Sequence, residues 1–161
     1  MPKSMFVRAL LVLLPLPIVV ASPSLETGEA GAQADLRSVT QLECVFPLYV
    51  TGTWTDGEPE TEVAETNLSF SFEHIDADEG VSDAVGLFGP EYITVRLSGE
   101  TLHFMQVGSS GPLYVTSVFA EPREDGKLNA VHTRHEYTRV RLAGFTSRPE
   151  QYYGTCEVQS D

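Results

Sequence analysis

The chain has 161 residues, enough for one domain with a hydrophobic core, and 42% of them are hydrophobic. Its 23 acidic residues outnumber its 10 lysines and arginines, which gives a formal net charge of −13 at pH 7. A charge of this sign repels phosphate groups, so we expect neither nucleic acid nor an anionic membrane surface as a partner. It is compatible with cationic partners, with divalent ions or simply with a well-solvated surface.

The first 21 residues have the layout of a secretion signal. Lys3 and Arg8 charge the start, an apolar run covers residues 9–20, and the small residue Ala21 suits a cleavage site. This run is shorter than the roughly 20 apolar residues that cross a bilayer, and prolines interrupt it. The pattern predicts a signal peptide at residues 1–21, no membrane anchor, and a secreted or periplasmic protein.

The next segment, residues 22–38, is rich in Ala, Gly, Glu and Ser. Its only large aliphatic side chains are Leu25 and Leu36. Such a composition buries too little apolar surface to offset the entropy that is lost on ordering. We therefore predict a flexible N-terminal arm over residues 22–38, followed by a single β domain over residues 39–161.

The β domain begins and ends with alternating segments that each carry one of the two cysteines. Around Cys44 apolar residues alternate with polar ones, the period-two pattern of a half-buried strand, and residues 151–156 predict the closing strand. Cysteines of an exported protein usually pair, and bridged Cα atoms lie within about 7 Å of each other. A Cys44–Cys156 disulfide would therefore make the first and last strands neighbours.

Short runs rich in Val, Thr, Tyr and Phe, separated by Gly-rich turns, occupy the chain between the cysteines. In residues 67–73 the side chains of Leu68, Phe70 and Phe72 face one side and polar side chains the other. From Tyr92 onward such runs recur about every ten residues, as in a β sandwich or barrel. The sequence predicts an all-β antiparallel meander that forms a small closed or nearly closed barrel, with a two-sheet β-sandwich as the alternative.

We expect Trp54, the only tryptophan, to anchor the core, since a buried indole removes a large apolar area from water. Residues 56–61 hold Gly57 and Pro59 among acids and predict a loop. Large side chains on later strands would fill most of the interior and leave little cavity: Phe70, Phe72, Leu102, Phe104, Val115 and Phe119.

Gly52-Thr53-Trp54, on an early strand of a small β protein, resembles the Gly-x-Trp motif of the calycin group, which includes lipocalins, avidins and bacterial lipocalin-like protease inhibitors. In that group the tryptophan closes one end of an eight-stranded barrel, often beneath an arginine from a late strand. The resemblance implies one of three residues for that arginine: Arg134, Arg139 or Arg141. The chain lacks the Asp-Tyr motif of lipocalins and the several tryptophans of avidins, so no particular ligand is implied. Arg134-His135 and residues 151–156 have a likeness to small exported bacterial proteins of unassigned function.

The acidic turn at residues 76–80 holds two carboxylates in the spacing of a calcium loop, Asp76 and Asp78. A helix–loop–helix calcium site requires Gly at its sixth position and Glu at its twelfth, where this chain has Val81 and Leu87. We predict an acidic β-turn, with Asp76 and Asp78 as calcium ligands in the alternative. No other metal and no cofactor is predicted.

Four histidines are the candidates for catalysis or metal binding: His74, His103, His132 and His135. His132 and His135 lie three residues apart, so on a regular strand they point to opposite faces and cannot share a metal. His132 and Arg134 share a face. Because no serine has the Gly-x-Ser-x-Gly context of a nucleophile elbow, no catalytic residue is assigned. His132, Arg134 and His135 form a candidate binding cluster.

These features favour a non-catalytic exported binding module over an enzyme. Because the barrel would be filled, and because loops usually carry binding, we slightly favour a protein partner over a small apolar ligand. Two alternatives stay open. One is a weak hydrolase or metal-dependent enzyme that uses His132, Arg134 and His135, and the other is a structural envelope protein without a discrete ligand.

Overall fold

The computed structural model describes residues 33–86, 89–108, 111–137 and 148–159, so the predicted signal peptide lies outside the described residues. Eight antiparallel strands pair in sequence order round a closed ring, and the first pairs with the last. They are β1 (Leu42–Thr55), β2 (Glu58–Asp76), β3 (Val81–Gly86), β4 (Gly89–Ser98), β5 (Thr101–Val107), β6 (Leu113–Pro122), β7 (Leu128–His135) and β8 (Glu150–Val158). The predicted all-β closed meander is confirmed. In the described part of the chain, no helix has the length and apolarity to cross a membrane.

The disulfide between Cys44 and Cys156 joins β1 to β8. The two residues stand directly opposite each other in the ladder, with their Cα atoms 4.0 Å apart, and both are fully buried. The predicted pairing of the first and last strands through this bond is confirmed.

Aromatic rings fill the interior of the barrel. The rings of Phe72 and Phe104 stack with their centroids 3.7 Å apart, and Phe70 connects Phe72 to Phe46 at centroid distances of 5.4 and 5.3 Å. Leu102 is fully buried beside them, as predicted. Buried rings of this size contribute much of the apolar surface that stabilises a small core.

Two of the predicted interior residues lie on the outer face. Thr116 and Val118 are the buried residues of that part of β6. Since successive side chains of a strand alternate between faces, Val115 and Phe119 point outward, and Phe119 is 39% exposed. The prediction that Val115 and Phe119 fill the interior is therefore wrong.

Trp54 does not anchor the core, because 55% of it is exposed. The ladders of β1 are irregular around Pro47, and this bulge changes which residues of β1 face inward. Before it the even-numbered Cys44 and Phe46 point into the barrel, whereas after it Tyr49 stacks on Tyr152 inside. A one-residue irregularity moves every later side chain to the opposite face, which places Trp54 outside.

Residues 33–39 close one end of the barrel. Leu36 and Val39 are buried in the core, and the backbone N–H of Ala34 donates to the carbonyl of Ala120 at 3.0 Å. The prediction of a flexible arm is therefore wrong for residues 33–38, and the domain includes residues before Val39. Residues 22–32 of that predicted arm lie outside the described residues.

Candidate functional site

The end of the barrel opposite residues 33–39 is lined by polar and aromatic side chains, and we call it the mouth. β7 runs toward this end and β8 starts from it, so that His132 and Tyr152 are directly opposite each other in their ladder, as are Arg134 and Glu150. The inward-facing residues that define the mouth are Tyr49, Tyr114, His132, Arg134, Glu150 and Tyr152.

His132 lies at the boundary between the apolar core and the mouth. Its Nε2 atom accepts a hydrogen bond from Nε of Arg134 at 3.2 Å, and its Nδ1 atom lies 2.9 Å from Oγ1 of Thr116. Because the arginine Nε–H can only donate, Nε2 must be unprotonated. The neutral ring therefore carries its proton on Nδ1 and donates it to Thr116.

Both nitrogens of His132 are thus engaged, and the ring is 7% exposed. Burial, followed by the positive charge of Arg134, lowers the pKa of His132 from 6.5 to about 3. A general base for hydrolysis at neutral pH needs a free nitrogen and a pKa near 7. This geometry gives His132 a structural hydrogen-bonding role.

Acidification should destabilise the protein through His132. The unfolded chain binds a proton on this ring near pH 6.5, whereas the folded protein does so only near pH 3. Protonation therefore favours the unfolded state, and the stability that the neutral ring supports is complete above pH 6.5 and lost progressively toward pH 3. Between pH 7 and pH 4.5 the free energy of unfolding should fall by about 2–3 kcal/mol from this group alone.

Urea unfolding of the wild-type protein and of His132→Asn at the two pH values measures this effect, since asparagine does not titrate. The variant should be less stable at pH 7 and lose about 2–3 kcal/mol less on acidification. His135→Asn, which changes an exposed ring, is the control and should behave like the wild-type protein. Equal acid sensitivity of His132→Asn and the wild-type protein would contradict the assignment.

Arg134 lies between two tyrosine rings. Its guanidinium carbon is 4.9 Å from the ring centroid of Tyr152 and 5.9 Å from that of Tyr114, distances at which a cation is attracted to an aromatic face. Among the described carboxylates, none is within ion-pair distance of Arg134. The arginine is therefore held by rings and by His132, and does not lie over Trp54. Arg139 and Arg141, the other candidates from the calycin resemblance, lie outside the described residues.

The two tyrosines that contact Arg134 donate their hydroxyl protons to carboxylates at the rim. Tyr152 donates to Glu150, and Tyr114 donates to Glu136 at 3.2 Å. Burial raises the pKa of both phenols, and the neighbouring Glu150 and Glu136 raise it further. Both therefore remain protonated donors at neutral pH. Every buried side-chain nitrogen or oxygen in the described residues has a hydrogen-bond partner.

The predicted cluster of His132, Arg134 and His135 is divided by the strand. His132 and Arg134 face inward and touch, as their shared parity predicts, whereas His135 is exposed on the opposite face. His74 and His103 each contact one polar side chain elsewhere, Asp83 and Ser117 respectively. The described residues hold no group of three or more His, Cys, Asp or Glu arranged to bind a metal ion.

The two candidate calcium ligands have partners within the protein. One carboxylate oxygen of Asp76 accepts the backbone N–H groups of Asp78 and Glu79 at 3.0 and 2.8 Å, which stabilises the turn. The carboxylate of Asp78 pairs with Arg37. Their positions in the structure are those of an acidic turn whose carboxylates serve the fold.

The hairpin of β1 and β2 extends beyond the mouth over residues 52–61. The pairing of β1 with β8 ends at Thr51, whereas its pairing with β2 continues to Thr55 and Glu58. Asp56 and Gly57 form the turn with φ of 52° and 89°, the conformation of a two-residue Asp-Gly hairpin turn. The predicted loop at residues 56–61 is therefore wrong beyond Gly57, because pairing with β1 extends the strand back to Glu58.

The two faces of the hairpin differ in chemistry. Glu58, Glu60 and Glu62 share one face, where they stand opposite three threonines of β1. The other face presents large apolar side chains to solvent, with Trp54 55% and Val63 62% exposed. This surface was not predicted from the sequence, although the alternation of Glu with other residues from 58 to 62 was the signal for it.

Comparison with models of protein families, with curated proteins and with solved structures finds no match for this chain.

Proposed function

We propose that this protein is a non-catalytic binding module that recognises another protein through the outer face of its β1–β2 hairpin. The observation that carries the proposal is the apolar outer surface of the hairpin, where Trp54 and Val63 are more than half exposed and Leu48 is 38% exposed. Large apolar side chains grouped on a surface mark interaction sites, and tryptophan is among the residues that contribute most to protein interfaces.

The packing of the interior favours a protein partner over a small apolar ligand. The stacked rings of Phe46, Phe70, Phe72 and Phe104 occupy the space that a ligand would need. Ligand pockets are concave and bury most of a small molecule, whereas the apolar surface of the hairpin is on its outside. An exposed outer surface of this kind suits another protein.

The environment of His132 argues against the alternative of a hydrolase or metal-dependent enzyme. Its two nitrogens are engaged by Arg134 and Thr116, and His135 faces the other way. The Cys44–Cys156 disulfide supports an oxidising compartment, so we place the protein outside the cytoplasm, secreted or periplasmic, with residues 1–21 as its signal.

Capture by the exported chain tests this proposal. The disulfide-bonded protein and the variant Trp54→Ala/Val63→Ser are immobilised, exposed to envelope extract or culture medium of the source organism, and the bound proteins are identified by mass spectrometry. We expect at least one protein to bind to the wild-type chain and to be retained by the variant in an amount at least tenfold lower. The control Tyr92→Ser alters another exposed ring, on β4, and should retain that protein. The proposal would be overturned if Trp54→Ala/Val63→Ser retained as much of the captured protein as Tyr92→Ser. It would also be overturned if small apolar ligands raised the melting temperature of all three proteins alike.

A further inference from the structure

Along a long edge of β2, none of the described strands lies on the side away from β1. β3 pairs with β2 only from Ser71 onward, whereas β2 starts at Glu58. Over residues 58–70 the described residues supply a ladder partner on the β1 side alone. Where β2 and β3 part, Ser69, Phe70 and Gly86 line a shallow groove. We call residues 58–70 the free edge.

Unpaired edges present N–H and C=O groups to any extended chain, and proteins protect them with charge and proline. The free edge carries Glu58, Glu60, Glu62 and Glu65, with Pro59 near its start, and there is no lysine or arginine between Arg37 and Arg96. This charge disfavours a second copy of the same chain, since two such edges side by side would place glutamate against glutamate. It attracts a strand of opposite charge.

The alternation along the free edge also specifies the pattern of that strand. Glu58, Glu60 and Glu62 point to one face, and Thr61 and Val63 to the other, next to Trp54 and Val50 of β1. A neighbouring strand places its alternate side chains beside these two rows, about 5 Å away. Basic residues would lie beside the glutamates, and apolar residues beside Val63.

We infer that the free edge accepts an extended segment of the partner protein as an added strand, an inference that rests on the proposed function. This segment alternates Lys or Arg with β-branched or aromatic residues. Main-chain hydrogen bonds supply affinity in such complexes, and the alternating side chains supply specificity. The glutamates thus serve two purposes: they prevent self-association and they select the charge of the partner.

A blocked heptapeptide, Lys-Val-Lys-Val-Lys-Val-Lys, is the probe, and Trp54 is the reporter because it is the only tryptophan. Saturable binding with a blue shift of its emission is expected. Glu58→Gln/Glu60→Gln/Glu62→Gln should weaken binding about tenfold. The matched control, Glu100→Gln/Glu121→Gln/Glu124→Gln, removes three exposed charges elsewhere and should bind like the wild-type protein. Absence of binding at millimolar peptide, or equal weakening in both variants, would overturn the inference.

Two further peptides separate strand addition from adsorption by charge. Both have the sequence of the probe. One carries N-methyl groups on its odd-numbered residues and the other on its even-numbered residues, so that each peptide lacks the backbone donors along one of its two edges. An added strand uses one edge only, and we expect one peptide to bind and the other to lose binding. Equal affinity of the two would overturn strand addition. If capture of the partner still requires Trp54 and Val63 in that case, the proposed function stands while this inference fails.

Discussion

Replacement of both disulfide cysteines, Cys44→Ala/Cys156→Ala, should lower the free energy of unfolding by about 4 kcal/mol. The bridge joins residues 112 positions apart, and a cross-link that closes so long a loop removes much of the entropy of the unfolded chain. Domains of this size are stable by only about 5–15 kcal/mol, so the variant would be close to unfolding at 37 °C. Urea unfolding followed by far-ultraviolet circular dichroism measures the loss.

The double variant is preferable to either single one, because a lone buried thiol would add exchange chemistry to the comparison. Reduction of the wild-type protein gives an independent estimate and should approach the stability of the double variant. If removal of the bond costs less than about 1 kcal/mol, the loop-closure argument for this protein is wrong.

A single methyl group at Gly154 should be nearly as damaging. A Cβ atom there would overlap the carbonyl oxygen of Val45 and lie 2.7 Å from Cα of Phe46. These are backbone atoms, and the irregularity of β1 around Pro47 places them directly over β8. Because they cannot rotate away, the strands must separate, and we expect Gly154→Ala to lower the free energy of unfolding by about 3 kcal/mol or more.

Gly52→Ala is the matched control for Gly154→Ala. Gly52 is also a strand glycine, one residue beyond the β1–β8 ladder, but nothing lies within 4 Å of a Cβ built there, so the change should alter stability by less than about 0.5 kcal/mol. Thermal and urea unfolding of the two variants are compared side by side. Equal stabilities would show that the backbone of β1 can yield at Phe46.

The ring of strands was predictable because several simple signals agreed. Alternating apolar residues marked the strands around Cys44 and Phe70, and glycine-rich turns separated the later ones. The two cysteines then required the first and last strands to be adjacent, which a meander satisfies by closing. Local pattern and long-range constraint pointed to the same topology.

The position of Trp54 was not predictable in the same way. Pro47 indicates a bulge, an edge or a strand end, and these outcomes place Trp54 on different sides of the sheet. Likewise, Leu36 is one aliphatic residue in a polar segment, and composition does not reveal that it covers the end of a barrel. The first error comes from a local irregularity in β1, and the second from contacts between residues that are distant in sequence.

The mouth was predictable only in part. Strand parity correctly placed His132 and Arg134 together and His135 apart. The tyrosines that hold Arg134 come from β6 and β8, and their approach depends on the register between strands. Sequence alternation gives the face of each residue, whereas the register gives its neighbours.

The disulfide lies across β1 and β8, the neighbouring pair of strands that do not follow each other in sequence. A protease that cuts once anywhere between Cys44 and Cys156 would therefore leave two fragments that are still covalently joined. The bridge would hold β1 of one fragment beside β8 of the other, so that these two strands could remain paired. Wherever proteases are present, this arrangement would give tolerance of nicking at the surface turns, where such cuts usually occur.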